Sequence, residues 1–178
     1  MLGREIPDIV LKTRVRDESI GGPNPFRWQD RQTGDLLGKG RVVLFALPGA
    51  FTPTCSTEQC PAFERDYDAL KAAGANEVYC LSVNDAFVMY QWGRHLDLKK
   101  VKLLPDGSGA FTRRMGMLID KGHLGFGQRS WRYAAVIDDA VVTAWFEEPG
   151  INDDGSDDDP YGESAPDKVL EWLRANPR

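Results

Sequence analysis

Apolar and polar residues follow one another along the chain in blocks that predict strands and helices in turn. The continuous apolar run at 42–47, Val-Val-Leu-Phe-Ala-Leu, is typical of a strand buried on both faces of a parallel sheet. A helical pattern follows it and ends at Gly74. Further apolar blocks predict strands at 77–83 and 101–104, with a helix at 86–98 between them. The order strand, helix, strand, helix, strand predicts two parallel crossovers.

The last third of the chain predicts an antiparallel addition to this sheet. Residues 131–137 and 141–147 alternate like two strands joined by a tight turn at Asp138-Asp139-Ala140. An amphipathic helix over Ala165–Asn176 then closes the chain. We therefore expect an α/β fold of thioredoxin-like type. It would have a mixed central β-sheet flanked by helices on both faces, formed as a single domain over residues 1–178.

Charge and composition argue against several classes of function. The formal net charge of −5 is unsuited to neutralising nucleic-acid phosphates. Five aspartates lie within residues 152–159, but the early glycine and the missing distal glutamate favour a solvated acidic loop over a calcium loop. No apolar stretch of about 18 residues is present, and the N-terminus lacks the apolar core of a signal peptide. We expect a soluble, cytoplasmic protein that binds neither nucleic acid nor membrane.

The segment LPGAFTPTCS places Cys55 directly after the first apolar strand. Pro48 ends that strand, and Thr52 before Pro53 is typical of a helix N-cap followed by proline at the first helical position. Cys55 would then lie in the opening turn, where free backbone N–H groups and the helix dipole favour an anion. The pattern predicts a reactive thiolate at the carboxyl edge of the sheet rather than an inert buried cysteine.

The other cysteines and the histidines predict neither a metal centre nor a hydrolase. Three cysteines suit a disulfide-stapled secreted fold poorly. His95 and His123 form no short ligand pair with them, so a zinc site has no support. Both histidines are also far from Cys55 in sequence, which leaves a cysteine–histidine hydrolase without local support.

Pro61 interrupts the helix that Cys55 begins. A proline inside a helix removes one backbone hydrogen bond and clashes with the preceding turn, at a cost of about 3 kcal/mol. Two interpretations remain open: a simple kink that wraps the helix around the core, or a first turn that can unwind without melting the rest of the helix.

Five sequence blocks occur in an order that a known family shares. They are LPGAFTPTCS, FRWQD, LSVNDAFVMYQWG, PDGSGAFTRRMGM and RSWRYAAVIDDAVV. Together they resemble the peroxiredoxin family, type II (peroxiredoxin-5-like) subfamily, over nearly the whole chain, and Pro48-x-x-x-Thr52-x-x-Cys55 matches the family's active-site pattern. One departure is Asp139-Ala140 where relatives often have Asp-Gly. Alanine tolerates positive φ less well than glycine, which leaves the turn type open.

The resemblance implies a thiol peroxidase for hydrogen peroxide and small alkyl hydroperoxides, with no metal or organic cofactor and a homodimer interface beside the active site. Cys55 would be the peroxidatic nucleophile and would pass through a sulfenic acid. Thr52 would offer its hydroxyl to the thiolate and the peroxide, beyond any capping role. Pro48 would shield the sulfur, unless it only ends the strand. Arg132 would stabilise the negative charge, with Arg129 as a rival for that place.

The thiol that reduces the sulfenic acid is left open by the sequence. Cys60 follows Cys55 by five residues, the spacing of the peroxiredoxin Q type, and Cys80 matches a second cysteine of plant-type members. Five residues on a helix are separated by about 7.5 Å of rise and about 140°, so a Cys55–Cys60 disulfide needs the first turn to unwind. Thioredoxin would reduce an internal disulfide. If Cys60 and Cys80 are only packed thiols, glutathione or a glutaredoxin attacks directly.

Two other functions would use the same thiol. A disulfide reductase of thioredoxin type would require Cys-x-x-Cys, whereas four residues separate Cys55 from Cys60. A non-enzymatic redox sensor or binding module would pass its oxidation to a partner without rapid turnover. The rate at which peroxide oxidises Cys55 distinguishes the sensor from the peroxidase.

Overall fold

The computed structural model describes all 178 residues and contains nine strands and five α-helices. In chain order they are β1 (Val10–Arg16), β2 (Phe26–Gln32), α1 (Thr33–Leu37), β3 (Arg41–Leu47), α2 (Cys60–Ala72), β4 (Glu77–Ser82), α3 (Ala86–His95), β5 (Lys102–Pro105), α4 (Ala110–Arg114), β6 (Leu118–Asp120), β7 (Gln128–Ser130), β8 (Tyr133–Asp138), β9 (Val141–Glu147) and α5 (Pro166–Ala175). A π-helical turn at Cys55–Gln59 leads directly into α2, and a 3₁₀ turn at Gly122–Leu124 lies between β6 and β7.

A five-stranded mixed sheet in the order β5-β4-β3-β8-β9 forms the centre of the molecule. Strand β3 pairs in parallel with β4, and β4 in parallel with β5. On its other side β3 pairs antiparallel with β8, and β8 with β9. Every residue of β3 is buried, as its continuous apolar sequence predicted. The expected mixed sheet of thioredoxin-like type is confirmed.

Helices cover both faces of this sheet. Side chains of α2, α3 and α5 form one buried cluster, in which the rings of Phe45 and Phe63 stack with their centroids 4.0 Å apart. Residues of α1, α4 and the β1–β2 hairpin form the cluster on the opposite face. All three cysteines belong to the first cluster. None of the helices combines the length and the apolar character needed to cross a bilayer.

The structure differs from the sequence-based expectation mainly at exposed or very short elements. The β1–β2 hairpin was not predicted, because most of its residues are exposed and carry no apolar alternation. The strand expected at 131–137 starts instead at Tyr133, and residues 128–130 pair with β6 as a separate strand. Arg132 therefore lies in the break between β7 and β8 rather than inside a regular strand.

The turn between β8 and β9 is of type I′ despite its alanine. Asp139 and Ala140 have φ values of 46° and 71°, so both central residues are left-handed. This is the geometry that matches the twist of a two-residue hairpin. Ala140 therefore occupies a conformation in which glycine would be under less strain.

Candidate active site

Cys55 lies at the carboxyl end of β3, in a turn whose hydrogen bonding is π-helical. The backbone N–H of Cys60 donates to the carbonyl of Cys55, five residues earlier, and the regular helix α2 begins only there. Pro61, which has no N–H to donate, is the second residue of α2. The Cys55 turn is thus bonded differently from the helix behind it, as the second interpretation of Pro61 requires. Its capacity to unwind stays a prediction.

The Thr52 hydroxyl is engaged with the loop that precedes the helix. It donates to the carbonyl of Gly49 at 2.7 Å, while the carbonyl of Thr52 accepts from the N–H of Ser56 at 3.1 Å. Thr52 therefore occupies the N-cap position through its backbone, but the expected side-chain cap is absent, which corrects that part of the sequence interpretation. In this geometry the hydroxyl proton points to Gly49 and not to the Cys55 sulfur.

Asn84 anchors the same loop to the end of the neighbouring parallel strand β4. Its Oδ1 accepts from the backbone N–H of Ala50 at 3.0 Å and from the hydroxyl of Ser82 at 2.6 Å. Sequence reasoning assigned no role to Asn84, although it lies in one of the blocks that resemble the family. Its position is a consequence of the parallel pairing, which brings the carboxyl ends of β3 and β4 together.

Arg132 is the cation in contact with the cysteine. Its Nη1 lies 3.5 Å from Sγ of Cys55 and donates to Oε1 of Gln59 at 2.6 Å. Its Nε donates to the carbonyl of Pro160 at 3.0 Å, and its Nη2 is paired with the carboxylate of Asp159. The side chain is only 1% exposed, so these partners hold the guanidinium in one orientation.

The electrostatic surroundings of Arg132 keep it charged. Burial alone would lower the pKa of the guanidinium, but the negative charges of Cys55 and Asp159 outweigh that effect and raise the pKa above its ordinary value. A fixed positive charge therefore faces the sulfur in a site from which water is largely excluded. This is the arrangement that stabilises a thiolate and a developing oxyanion.

Arg129 is near the site but contacts the loop instead of the sulfur. Its Nη1 donates to the carbonyl of Pro48 at 3.3 Å, and its Nε to the carbonyl of Phe126 at 3.1 Å. Burial lowers the pKa of Arg129, and the charge of Cys55 only partly opposes this. A Cβ on Gly49 would lie 2.4 Å from Nη1, so the absence of a side chain there permits the approach. Pro48 itself is buried beneath this contact.

The acidic segment at 152–159 is not simply a solvated loop, which corrects the sequence interpretation. Asp157 forms an ion pair with Lys121 at 2.6 Å, with only 4% and 5% of the two side chains exposed. Burial would raise the pKa of Asp157, but the hydrogen bonds from Lys121 and from the backbone N–H of Asp159, together with the charge of Lys121, lower it below its ordinary value. This anchor holds the end of the segment, including Asp159, over the active site. Gln59 and Asp159 are site residues that sequence reasoning missed.

Cys60 and Cys80 are free thiols packed next to each other beneath the site. Both are fully buried, Cys60 at the start of α2 and Cys80 in the middle of β4. Burial raises the pKa of Cys80 well above its ordinary value, and the neighbouring Cys60 and the nearby charge of Cys55 raise it further. Cys80 is therefore a protonated thiol and a weak nucleophile while the protein stays folded.

Comparison with known proteins agrees with this geometry. A family model described as Redoxin matches residues 3–161. Peroxiredoxin y4vD of Sinorhizobium fredii is 61% identical over 171 residues, which cover 96% of this chain and 90% of that protein. The chain belongs to the peroxiredoxin family. The peroxiredoxin of Rhizobium etli is 58% identical, over 97% of this chain and 96% of its own length.

Solved structures place this peroxiredoxin in the same group. The 1-Cys peroxiredoxin of Plasmodium falciparum superposes with a TM-score of 0.88 at 32% identity, covering 98% of this chain and 99% of that one. Peroxiredoxin 5 of Alvinella pompejana gives a TM-score of 0.77 at 26% identity, with 99% of each chain covered. The expected membership in the type II, peroxiredoxin-5-like group is confirmed, and the chain is a thiol-dependent peroxidase.

Proposed function

We propose that this peroxiredoxin reduces hydrogen peroxide and small alkyl hydroperoxides through a sulfenic acid at Cys55. The contact between Arg132 and Cys55, 3.5 Å long and buried, is the observation that supports this most directly. The thiolate attacks one peroxide oxygen, an S–O bond forms and the O–O bond breaks. The other oxygen takes a proton and leaves as water or an alcohol. Cys55 is oxidised to the sulfenic acid while the peroxide is reduced.

Three neighbours have separate roles in this step. Arg132 faces the charge that moves from sulfur to the leaving oxygen, in a position where little water screens it. Thr52 lies next to Pro53 at the start of the helix, and a rotation of its hydroxyl away from Gly49 would bring it to the peroxide. Pro48 is buried and keeps water from the sulfur. With Cys55 only 1% exposed, the site favours small peroxides over bulky ones.

Single-turnover kinetics test the peroxidase. Reduced protein mixed with hydrogen peroxide in a stopped-flow instrument should be oxidised orders of magnitude faster than a free thiol. Cys55→Ser should abolish the reaction, and Cys60→Ser and Cys80→Ser, as matched controls, should leave the first oxidation intact. Oxidation as slow as that of a free cysteine would reject the enzyme in favour of a redox sensor.

We further propose that glutathione or a glutaredoxin, rather than thioredoxin, regenerates Cys55. Cys60 and Cys80 are buried against each other, and Cys80 is held protonated, so neither is ready to attack a sulfenic acid. Either would also have to leave its place in the core to reach the sulfur. Mass spectrometry after one equivalent of peroxide should then show a sulfenic acid on Cys55, and a glutathione adduct on Cys55 when glutathione is added to the same mixture. A disulfide from Cys55 to Cys60 or Cys80 would indicate thioredoxin instead.

We propose a homodimer with its interface beside the active site, and a cytoplasmic location. The ring of Phe51 is 52% exposed on the loop before Cys55, so a partner subunit that covered it would bury apolar surface beside the site. Phe51→Glu should give a monomer in sedimentation velocity experiments. Ile20→Glu, which alters a side chain 51% exposed between β1 and β2, serves as the matched control and should leave the dimer unchanged. A wild-type monomer at cellular concentrations would contradict the proposal.

A further inference from the structure

A chamber of about 600 Å³ lies away from Cys55, between α3, β5 and the β1–β2 hairpin. This volume is within the range of small-molecule binding sites, about 300–1,000 Å³. Half of its lining residues are hydrophobic, among them Met89 from α3, Leu98 and Val101 from the following loop, and Leu103 from β5, and most of the others are polar or charged. None of the residues assigned to the active site lines it.

A second recess adjoins this chamber and is basic. It has a volume of about 540 Å³ and shares four lining residues with the chamber: Arg14, Phe26, Tyr90 and Arg94. Arg16 is the third arginine of the recess, and no carboxylate lines it. The chain as a whole is acidic, with a net charge of −5, so an excess of basic residues in the composition does not explain why three arginines line one recess.

Two of these arginines have no carboxylate partner. Arg14 donates to Oδ1 of Asn24 at 3.0 Å, and its guanidinium lies over Phe87 and Phe26, 4.2 and 5.1 Å from the ring centroids. Arg94 contacts only the ring of Tyr90, at 6.0 Å. The aromatic rings hold Arg14 in place, so less conformational entropy is lost when an anion binds to it.

The other charges around the two cavities are already neutralised. Arg16 pairs with Glu18, and Asp97, the carboxylate that lines the chamber, pairs with Lys99. The charge left for a ligand is therefore the positive charge of Arg14 and Arg94, which line both the basic recess and the chamber.

We propose that these two cavities form a binding site for an anionic amphiphile. The apolar chain would occupy the chamber between α3 and β5, and the carboxylate or phosphate head would lie between Arg14 and Arg94. A neutral apolar ligand would leave both guanidinium groups unused, and a cation would be repelled by them. The site is separate from the peroxidase centre, so its occupancy does not depend on the reaction at Cys55.

Isothermal titration calorimetry on the reduced wild-type protein tests the site. Dodecanoate and dodecyl phosphate, each below its micelle concentration, should bind with one molecule per chain, and dodecyltrimethylammonium should not. Arg14→Met and Arg94→Met should each weaken binding by about tenfold, the effect of one charge-assisted hydrogen bond. Leu98→Trp places a bulky ring in the chamber and should weaken binding by obstructing the place of the apolar chain. Arg114→Met removes an exposed arginine at the end of α4 and is the matched control, expected to bind like wild type.

The two anionic probes differ only in the head group. Tighter binding of dodecanoate would indicate a carboxylate ligand, and tighter binding of dodecyl phosphate would indicate a phosphate ligand. Circular dichroism confirms that each variant is folded before its affinity is compared. Equal binding of the cationic probe, several molecules per chain, or affinity that both arginine variants retain would each overturn the proposal. Any of these results would mean that the apolar surface adsorbs detergents without a defined site.

Discussion

Replacing Arg132 with methionine is expected to slow the oxidation of Cys55 by hydrogen peroxide by about 10²–10³-fold. Nη1 lies 3.5 Å from Sγ, and the side chain is 1% exposed, so solvent screens its charge little. Two unit charges about 4 Å apart interact by about 4 kcal/mol at an effective dielectric constant of about 20. Asp159 offsets part of this field, which leaves about 3 kcal/mol, comparable to the loss of one oxyanion-hole donor.

The assay is stopped-flow tryptophan fluorescence under single-turnover conditions, where the second-order rate constant reports the chemical step alone. Arg132→Lys retains the charge without the planar fork and should have an intermediate rate. Arg129→Met removes the other nearby cation and, as the control, should lose less than tenfold because its Nη1 contacts the Pro48 carbonyl. Asp159 is 45% exposed, so water can hydrate it and the variants should stay folded.

Two results would refute this reasoning. One is a loss of less than threefold in folded Arg132→Met, because the charge would then contribute little to the transition state. The other is an equal or larger loss in Arg129→Met, because the contact seen at Arg132 would then not be the catalytic one. Thermal unfolding of each variant separates a kinetic effect from a loss of folded protein.

Three further predictions concern the scaffold. Asp157→Asn leaves Lys121 buried and unpaired, so urea unfolding at pH 7 should show a loss of about 3–5 kcal/mol. Because the folded state lowers the pKa of Asp157, the ion pair stabilises the protein above about pH 4, and its contribution disappears as pH falls through that lowered value. Ala140→Gly should stabilise the type I′ turn by about 1 kcal/mol and raise Tm by about 2–4 °C in a calorimeter. Gly49→Ala should displace Arg129 and reduce the peroxide rate to that of Arg129→Met.

Each of these has a result that would contradict it. Asp158→Asn is the control for the ion pair, and equal stabilities of the two asparagine variants would show that the buried contact contributes nothing. A lower Tm in Ala140→Gly would mean that the flexibility of the unfolded chain outweighs the relief of strain. A wild-type rate in Gly49→Ala would mean that the Arg129 side chain moves aside without consequence.

Elements with a strong apolar pattern were predicted well, and elements without one were missed. The run at β3 is apolar at every position because a central strand is covered on both faces, so its place in the sheet could be read from the sequence. The β1–β2 hairpin is mostly exposed and therefore has no such pattern. The break before β8 was missed for a different reason, since Trp131 is as buried as a strand residue although it lies outside the strand.

In the active site, too, features with a local sequence signal were predicted and features without one were missed. Local signals were sufficient to place Cys55 after a buried strand and at the start of a helix, and five ordered blocks identified the family. The partners of Arg132 could not be predicted from local sequence, because they are distant along the chain. Cys55 is 77 residues from Arg132, Gln59 is 73 and Asp159 is 27. The Thr52 side chain was expected to cap the helix and bonds to Gly49 instead.

The sequence was therefore enough to predict the strands and helices of the central sheet, the candidate cysteine and the family, since these depend on short-range periodicity and on residues adjacent in the chain. The orientation of Arg132 toward Cys55, Gln59 and Asp159 was set by tertiary contacts. Those contacts form where the edge of the sheet, the break before β8 and the acidic segment meet. No local pattern encodes them, because each hydrogen bond joins segments that only the folded chain brings within about 3 Å of each other.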